Sequence, residues 1–175
     1  MINFDKIQFK IIMSIQKALQ IELEREKDNT LRILKNLRND DFGWKPHEKS
    51  MTLGQLANHI VELHDWVEFA LTKDTFDFHT DYVPSALTTV DELIERLNKG
   101  FERNKEIIAS MDEKIVFDPW TLKAGDHIIA QMPKTAVLRF IVTNHLIHHR
   151  GQLTVYMRLL DIPVPGIYGP SADEK

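Results

Sequence analysis

Cysteine is absent from this 175-residue chain. Disulfides and soft thiolate metal sites are therefore excluded, and any transition metal must be held by histidine and carboxylate. The lack of cysteine fits a reducing compartment, and a cytoplasmic protein is the expectation. Long apolar runs are missing too: none approaches the roughly 18–20 residues that cross a bilayer, so no membrane association is expected. Residues Met1–Met13 include Asp5 and no small-residue cleavage site follows, so they do not read as a signal peptide. Nor is there an excess of positive charge. The formal net charge is -4 and the pI about 6.1. No helix carries a continuous Lys/Arg stripe, so a nucleic-acid partner is not expected.

What is present is ordinary for a soluble globular protein, with 43% hydrophobic and 27% charged residues. The length suits one domain with a substantial core. Apolar residues recur at helical spacing in four stretches. The first runs from Ser14 to Leu37, before the breakers Gly43 and Pro46. A second opens on a capping box at Thr52–Gln55 and runs to Leu71; a third opens on another at Thr89–Glu92 and carries Leu93 to Ile108. Pro133 occupies the place of a first-turn proline for the fourth, which runs to Leu160 and stops at Pro163 and Pro165. Thr72–Leu87 reads as a long polar and aromatic loop. Between Met111 and Met132 two β-like runs, Ile115–Phe117 and His127–Ala130, flank a turn and predict a small hairpin or lid. The fold class is all-α, a four-helix bundle with a possible hairpin before its last helix. Residues 14–171 form the domain, 1–13 an extension or short extra helix, and 172–175 a tail.

The fourth helix carries the chemistry, in His145-Leu-Ile-His-His-Arg-Gly-Gln152. Residues four apart stack on one helical face, so His145 and His149 can offer ring nitrogens to one metal ion. On a helical wheel His149, Gln152 and Tyr156 lie within about 40° of His145, as do Leu138 and Ile141. Polar groups on an inward face need partners, and a metal or substrate would supply them. His59 in the second helix is the best third ligand, completing a facial triad. A hydrogen-bonded core histidine is the plainer reading of it. Position 146 is leucine, so this is not the HExxH of a zinc protease. His148 flanks the pair, His64 is rotated away toward the surface, and His47, His79 and His127 fall in loops. His127 lies in a segment that can fold over the open end of the bundle.

The run His145-x3-His149-Arg150-Gly151-Gln152-Leu153, with His59 in Leu56-Ala57-Asn58-His59, closely resembles the DinB/YfiT-like metalloenzyme family. The ending Val164-Pro-Gly-Ile-Tyr-Gly-Pro-Ser171 is similar to the tail of many members. The resemblance spans about Ser14 to Ser171. It implies an up-up-down-down bundle, commonly a homodimer, with a divalent metal, often nickel or zinc, on His59, His145 and His149. Relatives include S-transferases and isomerases that use a low-molecular-weight thiol, and metal-dependent hydrolases. Fold and metal carry over better than the reaction does.

Neighbouring residues have two readings each. Arg150 binds an anionic substrate group or pairs with an acid of a neighbouring helix. Gln152 hydrogen-bonds a ligand histidine or a metal-bound water. Gly151 permits close helix packing. Trp66 and Tyr156 line a pocket or belong to the core, and Trp44 and Trp120 anchor loop boundaries. Glu62 is the nearest acidic candidate for a general base, or else a solvent-facing or ion-paired glutamate. The leading function is thus a metal-dependent enzyme acting on a small molecule, with a thiol cosubstrate because the chain has no thiol of its own. Metal-dependent hydrolysis and a non-catalytic metal-binding stress-response role are the alternatives, the last predicting a closed coordination shell.

Overall fold

The computed structural model describes residues 14–174, so the predicted extension at 1–13 lies outside the described residues. Helix α1 (Ile15–Leu34) begins where the Ser14 hydroxyl accepts the Lys17 N–H at 3.1 Å. It stops short of the predicted Leu37, because the N–H groups of Asn36 and Leu37 bond back to Ile33 and Leu34 in tighter turns. Helices α2 (Leu53–Thr72) and α3 (Val90–Ser110) start at the predicted capping boxes, Thr52 with Gln55 and Thr89 with Glu92. Each box satisfies two N–H groups that a helix start would otherwise leave without partners.

The last helical stretch departs from the uniform helix predicted. A short α4 (Lys134–Ala136) passes into a π-helical turn (Val137–Thr143), which leads into α5 (Asn144–Leu159). Each wider turn holds an extra residue, and one extra residue turns everything after it by about 100°. A single wheel therefore cannot carry one face from Leu138 and Ile141 through to His145. Burial agrees: Leu138 and Val142 are buried, while Ile141 is only partly so. Pro133 is the residue just before α4 and not in its first turn. It closes a strand opposite Pro119, in extended conformation at ψ 148, where a residue without an N–H ends a ladder.

A small three-stranded sheet caps one end of the helices. Strand β1 (Thr75–Asp77) lies inside the predicted long loop and pairs in parallel with β2 (Pro119–Ala124); β2 pairs antiparallel with β3 (His127–Pro133). The hairpin is where the sequence placed one, but its first strand is not. Glu113–Phe117 forms a 3-10 turn capped by the Asp112 carboxylate, and Phe117 is left exposed. Pairing starts at Pro119 because Trp120 and Leu122 alternate onto the buried face. The hairpin turn uses Gly125 at φ 60, a left-handed conformation that glycine adopts without steric cost.

Two apolar clusters make the core. Leu56, Ile60, Leu63, Leu97, Leu153 and Met157 belong to the first. Trp66, Phe76, Phe101, Trp120, Val137 and Leu138 belong to the second, which the sheet covers. Helix α2 runs through both and packs against α1, α3 and α5. It therefore has almost no solvent face, and this overturns the predicted surface position of His64. That side chain is 1% exposed and meets the Thr30 hydroxyl of α1 at 3.1 Å.

Candidate metal centre

His59 on α2 faces His145 and His149, one turn apart on α5. The Nε2 atom of His145 lies 3.4 Å from that of His59 and 2.7 Å from that of His149. One ligand atom from each of the three rings lies within 4.8 Å of the others. Ligand nitrogens about 2.0–2.1 Å from a tetrahedral ion sit about 3.3 Å apart. The first separation already matches, and the second requires only a small opening.

Hydrogen bonds on the outer side of the rings decide where the protons sit. Glu62 Oε2 is 3.5 Å from His59 Nδ1, and Gln152 Oε1 is 2.7 Å from His149 Nδ1. The backbone carbonyl of Ile141 bonds the His145 ring. Oxygen acceptors at Nδ1 of His59 and His149 place protons there and turn the Nε2 lone pairs toward the shared centre. Lone pairs facing one another without a donor repel, and a cation between them removes the conflict. Burial, followed by the neighbouring His149 and His59 rings, pushes the His145 pKa down to about 4. Burial also lowers that of His149. Neutral imidazole, the form that ligates metals, is thereby favoured.

Glu62 is buried and committed. Tyr82 donates its hydroxyl to Oε2 at 3.0 Å, and the Ser85 N–H donates to Oε1. Burial alone would raise the Glu62 pKa. Hydrogen bonds from His59, the Ser85 N–H and Tyr82 outweigh it and hold the carboxyl below its usual value. The carboxylate is therefore not solvent-facing, and both of its oxygens accept hydrogen bonds. Tyr82, Ser85 and Asn58 were not legible as site residues, since a loop carries no periodicity to say which helix it will meet.

Arg150 points elsewhere. It is 1% exposed and pairs with the Glu26 carboxylate, the Tyr168 hydroxyl and, at 3.2 Å, the Thr30 hydroxyl. The ion pair with a neighbouring helix is the reading that holds, as a buried guanidinium requires. Gly151 does not serve close packing: a Cβ there would meet nothing within 4 Å. Tyr156 packs edge-on against Trp44 with centroids 5.6 Å apart, and Trp66 lies in the second core cluster against Phe76. Trp120 is buried, its N–H 3.4 Å from the Phe69 carbonyl. His47, His79, His127 and His148 are exposed, and His127 lies on β3 outside the three-histidine group. A separate crevice of about 120 Å³ between α1, α2 and the π-helical turn is lined by Leu23, Val67, Leu138 and His64, and by none of the three clustered histidines.

The sequence model of the DinB family matches residues 13–175. This chain belongs to the DinB family. Uncharacterized protein YrdA of Bacillus subtilis (strain 168) is 30% identical to it over 154 residues, 86% of each chain. A DinB-like protein from Bacillus cereus ATCC 10987 superposes with TM-score 0.68 at 25% identity, covering 89% of this chain and 99% of that one. The DinB-like protein YjoA of Bacillus subtilis gives TM-score 0.67 at 18% identity, over 88% of this chain and 99% of its own, a likeness of fold alone. The family read from the histidine motif is thus the family found. This DinB-family chain is mostly helical, with a small three-stranded sheet and a histidine group that can hold a metal ion. Among its described residues no helix is long and apolar enough to cross a membrane.

Proposed function

We propose that this DinB-family chain is a metal-dependent enzyme that uses a low-molecular-weight thiol to transform a small molecule. In this reading His59, His145 and His149 hold nickel or zinc in an up-up-down-down bundle that works as a homodimer. The observation that carries it is the convergence of three Nε2 atoms, with Glu62 and Gln152 accepting at the outer nitrogens of two rings. A divalent ion there supplies Lewis acidity and favours the thiolate of a bound thiol over the thiol. Three protein ligands leave coordination positions for substrate, and among the described residues the group includes no fourth side chain. That favours chemistry over a closed, non-catalytic site.

The chain's own residues have distinct parts. The three histidines present lone pairs, while Glu62 and Gln152 keep His59 and His149 oriented. No cysteine exists to serve as nucleophile, so the thiol is a cosubstrate. Hydrolysis would require a base beside a metal-bound water. Glu62, the candidate from sequence, is already held by Tyr82, Ser85 and His59, which ranks thiol transfer above hydrolysis.

Elemental analysis of untagged protein, beside His145→Ala, tests the reading. The expected result is about one equivalent of nickel or zinc per chain, lost in the variant, followed by thiol-dependent turnover in a cosubstrate screen. Protein that holds no metal even after reconstitution would sink it.

A further inference from the structure

Glu62 is held in place from outside α2, by the segment between β1 and α3. Tyr82 donates its hydroxyl to Glu62 Oε2 at 3.0 Å, the same oxygen that lies 3.5 Å from His59 Nδ1. The tyrosine ring is itself seated edge-on against Phe78 and Trp66, with centroids 5.6 and 6.4 Å away. The direction of its hydroxyl is therefore set by packing. Glu62 Oε1 takes the Ser85 N–H, so neither carboxylate oxygen is free to turn.

One turn earlier on α2, Asn58 ties down the same segment. Its Oδ1 accepts from the Ser85 hydroxyl at 2.6 Å and the Leu87 N–H at 3.0 Å, and its Nδ2 donates to the Leu87 carbonyl at 2.9 Å. The segment is thus fastened to α2 at positions 58 and 62, on either side of His59. Such fastening makes sense if the orientation of that one ring matters.

We infer that Tyr82 is a positioning residue for the three-histidine centre, acting through Glu62 to fix the orientation of His59. The inference rests on the metal-binding reading above. A carboxylate that orients a ligand histidine governs metal affinity, because the ring must otherwise be ordered when the ion arrives. Without the Tyr82 hydroxyl, Glu62 is held only at Oε1 by the Ser85 N–H, so Oε2 can swing away and His59 loses its fixed acceptor. By linkage, metal bound at the histidines must in turn steady the Tyr82–Leu87 segment.

Zinc affinity, measured by chelator competition on the full chain, tests this with four variants. Tyr82→Phe keeps the ring packing and is expected to weaken binding about three- to tenfold. Glu62→Gln should cost about 10–100-fold, and the double variant should be no weaker than Glu62→Gln alone. Asp81→Ala removes the segment's bonds to Lys73 and to the Asp77 N–H but leaves every donor to Glu62 and Asn58, and should bind like the parent. Circular dichroism and melting of the metal-free proteins confirm that each variant is folded. Parental affinity in Tyr82→Phe, or an additive loss in the double variant, overturns the inference. So does an equal loss in Asp81→Ala, since the effect would then be general loosening of the segment. Failure of the parent protein to bind either zinc or nickel is a different result, seen before any variant is made: it overturns the metal reading itself.

Discussion

Gly151 stands inside α5 with open space where a Cβ would go. A helix-interior glycine costs about 0.5–1 kcal/mol relative to alanine, through backbone entropy in the unfolded chain. Gly151→Ala should therefore stabilise the protein by about that amount and raise its melting temperature by about 1–4 °C, read by calorimetry. An unchanged or lower melting temperature would mean that another molecule approaches this face. The same residue shows what single positions disclose. The motif made Gly151 conspicuous and invited a packing role, yet nothing packs there. Arg150 beside it was legible only as two equal options, because the partner acid, Glu26, is 124 positions away. His145, His149 and Gln152 were grouped correctly because all three lie in one regular helix, where spacing alone sets direction.

At the scale of elements the π-helical turn Val137–Thr143 is the decisive one. It lets Val137, Leu138 and Val142 face the second core while Leu146, Leu153 and Met157 face the first. Deleting Phe140, whose side chain is 62% exposed, should convert the turn to α-helix without removing a core residue. Both flanking segments then keep the faces they already present, because the deletion removes the one residue that the wider turn accommodates. Stability in urea unfolding should therefore stay within about 1 kcal/mol of the parent's. A loss of about 2–4 kcal/mol, that of one or two misdirected aliphatic side chains, would show that the turn does more than accommodate one extra residue. The capping boxes at Thr52 and Thr89 were legible because their signal is local, four residues long. The π turn was not, since no residue within it differs in kind from those of an ordinary helix. Strand β1 escaped for a similar reason: its three residues form a strand only because β2 arrives from 46 positions further along, as in the pair Thr75 and Thr121.

For the whole molecule, burial of polar groups between helices sets the response to acid. His64 is fully enclosed, and burial, with the Arg150 charge second, pushes its pKa from 6.5 to about 3. The folded state then holds this imidazole neutral while the unfolded chain protonates it near 6.5. Its stabilising contribution is complete above about pH 6.5 and is lost as pH falls toward about 3, at up to about 1.4 kcal/mol per pH unit. His145 and His149, also lowered, add in the same direction in metal-free protein. Urea midpoints of metal-free protein between pH 7 and 5 should fall for the parent and fall less steeply for His64→Leu. Identical slopes would show that His64 titrates normally. The sequence placed this histidine at the surface by its angle from His59, which is sound geometry for a helix with one buried face. Helix α2 has partners on nearly every side, and only the assembled fold reveals that.

Composition, periodicity and local motifs were enough to determine the helical class, the capped starts of α2 and α3, and the family to which the chain belongs. They also singled out His59, His145 and His149, because helical spacing is a local property and inward polar groups stand out against an apolar stripe. Tertiary structure decided what depends on approach between distant segments. It placed the three rings within reach of one another, turned Arg150 toward Glu26, enclosed His64, and brought Tyr82 and Ser85 onto Glu62. The physical reason is range. Backbone geometry is set within a few residues, whereas the partner that satisfies a buried charge or orients an imidazole is chosen by packing.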